Sequence, residues 1–211
     1  MVDEYKDSYI VFSRTNTGIG KIIRKVTRNT YNHTSLCLDG KFYQLVSFAR
    51  KHKNNPFQGG LVIETPVRYI SDGEDITVKV CRIDESAFKV EDMFKRLDAV
   101  RSEENSYLYN TYGAICSPFK IKFSPYRTFT CVEFAAYILG IKGKIYSVRQ
   151  LEKIFDCNKI YEGSYKTLVE NYRDYFPKDD YHEKQRKRDV ICGTAHHLYE
   201  NAVRSFGKQS D

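Results

Sequence analysis

The segment YNHTSLCLDGKFYQLVSF, residues 31–48, decides the fold class of this 211-residue chain. Within it, two runs of β-branched and aromatic residues flank Asp39-Gly40, a dipeptide that readily adopts the positive φ angles of a two-residue hairpin turn. The pattern predicts an antiparallel β-hairpin in which Ser35 pairs with Gln44. Because side chains alternate along each strand, we expect His33 and Gln44 to lie diagonally adjacent on one face.

The segments on either side of this hairpin predict an antiparallel sheet packed against helices. Residues 8–13 are typical of a first strand, and residues 17–29 have the spacing of an amphipathic helix with a basic outer face. Residues 51–60 contain Asn, Pro and Gly and predict a loop. Residues 60–65 and 76–83 then predict two further strands. The expected fold class is α+β.

The second half of the chain is predicted to be mostly helical. An apolar stripe indicates a helix over residues 85–104. After a tyrosine-rich loop, a helix is expected over residues 131–140, where the final glycine is a natural C-terminal residue. A shorter helix should open at Ser147. We therefore expect one domain over residues 1–162 and a helical C-terminal appendage over residues 163–211.

Cysteine use and the lack of export signals predict a soluble, cytoplasmic protein. The six cysteines are widely scattered without a CxxC pair, which favours free thiols over the alternative of a disulfide framework. The opening MVDEYKDSYIVF is acidic where a signal peptide is basic, and no apolar run is long enough to predict a transmembrane segment.

The net charge of +7 and the pI of about 9.0 are compatible with an anionic partner, either nucleic acid or a membrane surface. Two basic clusters contribute to this charge, at residues 50–53 and 184–188. A solvated helix face is the alternative interpretation of the second cluster.

Cys131 lies where a cysteine can become a nucleophile. It falls in the first turn of its predicted helix, behind Thr128 or Thr130 as the cap, and the helix dipole there favours the thiolate. An adjacent imidazolium would favour it further, and His33 is the candidate for that role. Gln44 is expected to orient the ring by accepting a hydrogen bond from Nδ1.

These features together resemble the circularly permuted papain-like superfamily, which includes NlpC/P60-related amidases, lecithin-retinol acyltransferase-like enzymes and YiiX-type proteins. The resemblance covers residues 8–155 and rests on order: a strand, a basic helix, the NHTS hairpin, the NPFQGG segment, and FTC before an aliphatic helix. It implies a permuted papain-like (NlpC/P60) fold, in which the histidine precedes the cysteine. It also implies that Cys131 is the nucleophile, His33 the general acid and base, and Gln44 the third catalytic residue.

The third position departs from the familiar residues of the superfamily, so Glu64 is an alternative third member or a substrate-binding residue, and Tyr112 is a candidate wall of the cleft. The structural alternatives are a core cysteine at Cys131, a plain sheet amide at Gln44 and a packing tyrosine at Tyr112.

The resemblance implies a cysteine-dependent hydrolase of the peptidase or amidase type, without cofactor or metal. Its substrate would be a peptide, a glycopeptide or an acyl lipid. Two other functions stay open: an acyltransferase that uses the same cysteine and histidine, and a catalytically inactive binding module for an anionic partner.

Overall fold

A six-stranded antiparallel sheet forms the centre of the molecule in the computed structural model. The structure describes residues 8–16, 24–25, 29–70, 74–116, 123–143, 145, 147–176 and 178–206. The basic helix predicted at 17–29 lies largely outside these residues. The strands are β1 (Tyr9–Arg14), β2 (His33–Cys37), β3 (Leu45–His52), β4 (Asn55–Glu64), β5 (Thr77–Arg82), β6 (Leu108–Tyr109), β7 (Thr128–Phe129) and β8 (Lys159–Ser164). The spatial order in the large sheet is β4-β3-β2-β1-β5-β8, and β6 and β7 form a separate parallel pair.

Both faces of the large sheet are covered, which explains the nearly continuous apolar run of its central strand β1. Ile10 and Phe12 face one core, and Tyr9 and Val11 face the other. The helices are α1 (Val90–Ser102), α2 (Thr111–Cys116), α3 (Cys131–Leu139), α4 (Val148–Phe155), α5 (Tyr165–Leu168), α6 (Tyr172–Tyr175) and α7 (Lys187–Phe206). Helices α1, α3 and α4 contribute the apolar side chains of the first core. The α+β class predicted from the sequence is confirmed.

Helix α3 begins and ends where the sequence predicts. Thr130 is its N-cap and accepts a hydrogen bond from the Glu133 amide, while the Glu133 side chain accepts from the Thr130 amide. This reciprocal capping fixes the first turn, in which Cys131 stands. Gly140 ends the helix in the left-handed conformation, with φ of 69°.

The two-residue hairpin predicted at Asp39-Gly40 is wrong. β2 and β3 pair through Leu36 and Val46, so residues 38–44 form a longer connection and Ser35 does not pair with Gln44. Contacts distant in sequence hold this loop. The Phe42 carbonyl accepts a hydrogen bond from the Tyr165 hydroxyl at 2.7 Å. These contacts override the local preference of Asp-Gly for a tight turn.

The loop predicted at residues 51–60 is mostly strand. β4 starts at Asn55, and its pairing with β3 includes Gly60 opposite Ala49 and Gly59 opposite Arg50. Gly59 serves a close approach between segments rather than a turn. A Cβ at this position would lie 2.5 Å from the Ala49 carbonyl oxygen and 2.9 Å from the Tyr109 Cβ.

The C-terminal segment is integrated into the body of the protein. The boundary expected between residues 162 and 163 falls inside β8, because Gly163 and Ser164 pair with β5. Tyr165 is fully buried in the second core.

Helix α7 holds the small β6–β7 pair through its side chains. Arg204 donates hydrogen bonds to the carbonyls of Ser106 and Arg127. His197, which is 3% exposed, makes a hydrogen bond of 2.9 Å from Nε2 to the Tyr109 carbonyl. No helix in the described ranges has the length and apolar character needed to cross a membrane.

Candidate active site

Cys131 is the first residue of α3 and is nearly buried, with 8% of its surface exposed. The first four amides of an α-helix have no acceptor within the helix. Here the Glu133 amide donates to Thr130 Oγ1, and the Phe134 amide donates to the Thr130 carbonyl. The amides of Cys131 and Val132, the first two of the helix, have no acceptor within the helix.

His33 is brought to Cys131 although about a hundred residues separate them in the sequence. It is the first residue of β2 and is 9% exposed. The Cys131 side chain contributes to raising the pKa of the His33 imidazole, so the two side chains are neighbours. The two residues that the sequence predicts as a pair therefore lie near each other in the fold.

Glu64, the last residue of β4, holds the other side of the His33 ring. Its two carboxylate oxygens lie 2.9 and 3.2 Å from His33 Nε2. Ser35 Oγ donates to Glu64 Oε2 at 2.5 Å and lies 3.2 Å from the same imidazole nitrogen. Arg68 Nε lies 3.9 Å from this carboxylate, and burial together with the charge of Glu64 raises the pKa of the Tyr69 hydroxyl. Glu64 is fully buried, so these groups replace the solvent around its charge.

The charges of this cluster stabilise each other. Burial by itself would lower the pKa of His33, but the charges of Glu64 and Cys131 and the hydrogen bond to Glu64 raise that pKa to about 10. Burial would likewise raise the pKa of Glu64, and the charge and hydrogen bond of His33 outweigh it and lower that pKa to about 2. At neutral pH the site therefore contains an imidazolium between a carboxylate and a thiol group.

The ring of His33 reaches partners from both sides of the sheet. Strict alternation places His33 on the face of Ser35, which belongs with the second core, whereas Cys131 packs in the first. The described pairing between β2 and β3 consists of the Leu36–Val46 pair. His33 is the first residue of β2, so its ring lies at the end of this strand.

The orientation of the ring differs from the prediction. Nε2 faces Glu64, which leaves Nδ1 as the nitrogen available to the thiol. The position predicted for Gln44 beside His33 is wrong, since Gln44 is exposed in the connection that precedes β3. The alternative third residue, Glu64, is the one that the structure brings to the histidine.

Tyr112, the predicted cleft wall, packs against the C-terminal helix. Its hydroxyl lies 3.4 Å from the Leu198 carbonyl oxygen, and its ring meets Phe123 edge-on at 5.7 Å.

Tyr109 is the aromatic residue beside the thiol that the sequence did not single out. Burial and the charge of Cys131 raise the pKa of its hydroxyl, so this group is a neutral hydrogen-bond donor at physiological pH. The density of tyrosines before the predicted helix signals a cleft, but it does not distinguish Tyr109 from its neighbours.

The described residues include no group of three or more His, Cys, Asp or Glu side chains that could hold a metal ion. All six cysteines are free thiols. The carboxylate of Glu64 and the imidazole of His33 are hydrogen-bonded to each other.

No family model, no curated protein and no solved structure matches the chain. The resemblance to the permuted papain-like superfamily stays a prediction, and the chemistry has to be inferred from the geometry of the site.

Proposed function

We propose that this protein is a cysteine-dependent hydrolase of amide or ester bonds, with a permuted papain-like fold of the NlpC/P60 type. One observation carries the proposal: the His33 ring contacts a buried carboxylate at 2.9 Å and neighbours the thiol at the start of a helix. A cysteine, a histidine and an orienting acid in this order of contact form an activated nucleophile.

In the proposed reaction, Cys131 is the nucleophile and the His33 imidazolium is the acid. The thiolate attacks the substrate carbonyl carbon, a C–S bond forms, and the carbonyl electron pair moves to oxygen. When the tetrahedral intermediate collapses, His33 gives its proton to the leaving amine or alcohol and an acyl-enzyme remains. Water then attacks the thioester while His33 takes its proton. The carboxylic acid is released, and the thiolate–imidazolium pair of the enzyme is regenerated.

The oxyanion of the intermediate needs donors that are already in place. The amide of Cys131 is one donor, since it stands at the start of α3 without an acceptor within the helix. The Tyr109 hydroxyl is the second donor that we propose, because it is neutral and neighbours the thiol.

Glu64 takes the role that the sequence gave to Gln44. Its carboxylate holds Nε2, fixes the ring orientation and keeps the imidazole protonated in the resting enzyme. Ser35 holds the carboxylate in turn through its hydroxyl hydrogen bond. Glu64 is a positioning residue in this proposal.

The test measures alkylation of each cysteine by iodoacetamide at pH 6, followed by mass spectrometry of the peptides. Cys157 is exposed and serves as an ordinary thiol within the same molecule. We expect Cys131 to react faster than Cys157 although it is far less accessible, and His33→Ala to abolish the difference. If Cys131 reacts more slowly than Cys157 in the native protein, the thiol is not activated and the proposal fails.

Two alternatives share the fold and differ in chemistry. An acyltransferase would pass the same acyl group to an amine or alcohol, and added acceptor would then divert the product. A binding module for an anionic partner is favoured only by the net charge of +7. Its binding to nucleic acid or anionic vesicles would fall steeply with salt and would survive Cys131→Ala.

A further inference from the structure

Arg50 is a half-buried cation near the end of β3. Its guanidinium donates a hydrogen bond of 2.6 Å to the Tyr181 hydroxyl and lies 5.6 Å from the centre of that ring. Neighbouring cations have acidic partners: Lys51 pairs with Glu104 at 3.3 Å, and Arg68 lies 3.9 Å from Glu64. Across the described part of the chain, no carboxylate forms an ion pair with Arg50.

Removing part of the water around a guanidinium costs free energy, and an anion that pairs with the guanidinium offsets this cost. Tyr181 is buried and holds the Arg50 side chain in a defined place. The side chain is therefore fixed in advance, as a binding residue needs to be.

The backbone places Arg50 beside the residues around the thiol. Arg50 pairs with Gly59 across β3 and β4. Tyr109 passes directly over Gly59, since its Cβ lies 2.9 Å from the position that a Gly59 Cβ would occupy. The charges of Cys131 and Arg50 also both act on the pKa of the Tyr109 hydroxyl, which the first raises and the second lowers. Tyr109 packs against the core that contains Cys131, and the charges of both the nucleophile and the cation act on this one residue.

We propose that Arg50 is a substrate-binding residue that holds an anionic group, a carboxylate or a phosphate, next to the acyl group attacked by Cys131. This inference rests on the proposed function and narrows its substrates to acidic ones. The planar guanidinium suits both anions because it can offer two parallel N–H donors.

Two alkylating reagents of nearly equal size test the charge directly. Iodoacetate and iodoacetamide both form a C–S bond with Cys131 and release iodide, but only iodoacetate carries a carboxylate. Arg50→Gln should lower the iodoacetate rate at Cys131 about fivefold, the effect expected of one partly screened charge near a protein surface. The iodoacetamide rate should stay unchanged. Arg149→Gln removes an exposed arginine from α4 and should leave both rates unchanged.

Competition at constant ionic strength then identifies the anion. Inorganic phosphate or acetate should slow iodoacetate alkylation of the native protein, and the more effective of the two shows which group Arg50 prefers. Arg50→Gln should lose this protection. Tyr181→Phe, which removes only the hydroxyl that holds Arg50, should reduce the preference for iodoacetate by a smaller factor.

The outcomes separate the two proposals. If Arg50→Gln slows both reagents equally, or neither anion protects Cys131, Arg50 does not bind anions and this inference is overturned. If Cys131 of the native protein is no more reactive than Cys157 toward iodoacetamide, the proposed hydrolase itself fails. A thermal unfolding curve for each variant confirms that the rates refer to folded protein.

Discussion

Glu64→Gln is the most informative change at this site, because it removes one charge and keeps the shape of the side chain. The carboxylate lies 2.9 Å from His33 Nε2 and is fully buried. Two unit charges about 4 Å apart at an effective dielectric constant of about 20 attract by about 4 kcal/mol. Since 1.36 kcal/mol corresponds to one pH unit, the pKa of His33 should fall by about 3, from about 10 toward neutrality.

Two measurements check this magnitude. Nitrogen-15 NMR of the histidine rings follows the protonation of His33 between pH 5 and 10, with His33→Asn identifying its signals. The native ring should stay protonated at pH 8, and the ring in Glu64→Gln should be largely neutral there. Because the neutral ring no longer stabilises a thiolate, alkylation of Cys131 at pH 8 should fall about tenfold.

Glu170→Gln is the matched control, since Glu170 is exposed and contributes its backbone carbonyl to the contact with Tyr43. It should change neither the titration nor the alkylation rate. If His33 titrates at the same pH in the native protein and in Glu64→Gln, the carboxylate does not set its charge and the electrostatic account of the site is refuted.

The same pair predicts a pH window of stability. The contribution of Glu64 to the free energy of unfolding is fully present above its ordinary pKa of 4.5 and is lost as the pH falls toward 2. The contribution of His33 is fully present below its ordinary pKa of 6.5 and is lost as the pH rises toward 10. The difference in unfolding free energy between the native protein and Glu64→Gln, measured by urea denaturation, should therefore be largest between pH 4.5 and 6.5. Tyr109→Phe should lower kcat by about 10- to 100-fold with little change in KM once a substrate is known, because the oxyanion loses a donor; an unchanged kcat would remove this residue from the mechanism. His197→Ala should also lower kcat, since the Tyr109 carbonyl loses its partner at 2.9 Å, and His197→Gln, which restores an N–H donor, should recover part of it. Gly59→Ala should destabilise the fold by about 1–3 kcal/mol, because the added methyl meets the Ala49 carbonyl oxygen at 2.5 Å, and a melting temperature equal to that of the native protein would contradict this close approach.

The parts of the site that depend on local chemistry could be predicted from the sequence. The start of α3 at Cys131 follows from the capping threonine, and its end follows from Gly140. The pairing of Cys131 with His33 was predicted through the resemblance and the expected reactivity of a cysteine at a helix start. Both inferences use residues whose behaviour is set by their immediate neighbours.

The parts that depend on distant contacts could not be predicted. Asp39-Gly40 favours a tight hairpin locally, but the Tyr165 hydroxyl, which is distant in sequence, donates a hydrogen bond to the Phe42 carbonyl and stabilises the longer connection. The glycines of NPFQGG look like turn residues, yet Gly59 makes room for Tyr109 to pass over β4. Only the folded structure shows that a glycine is needed at position 59 because Tyr109 packs directly against it.

The hydrogen bonds from α7 to the backbone around the β6–β7 pair have a consequence for biosynthesis. His197 and Arg204 reach back to backbone that was translated about ninety residues earlier, next to the Tyr109 and Cys131 positions. The ribosome must therefore translate residue 204 before these contacts can form. Until α7 has been made, Cys131 lies in an incomplete site, so we expect the nascent chain to become reactive only after α7 has emerged from the ribosome.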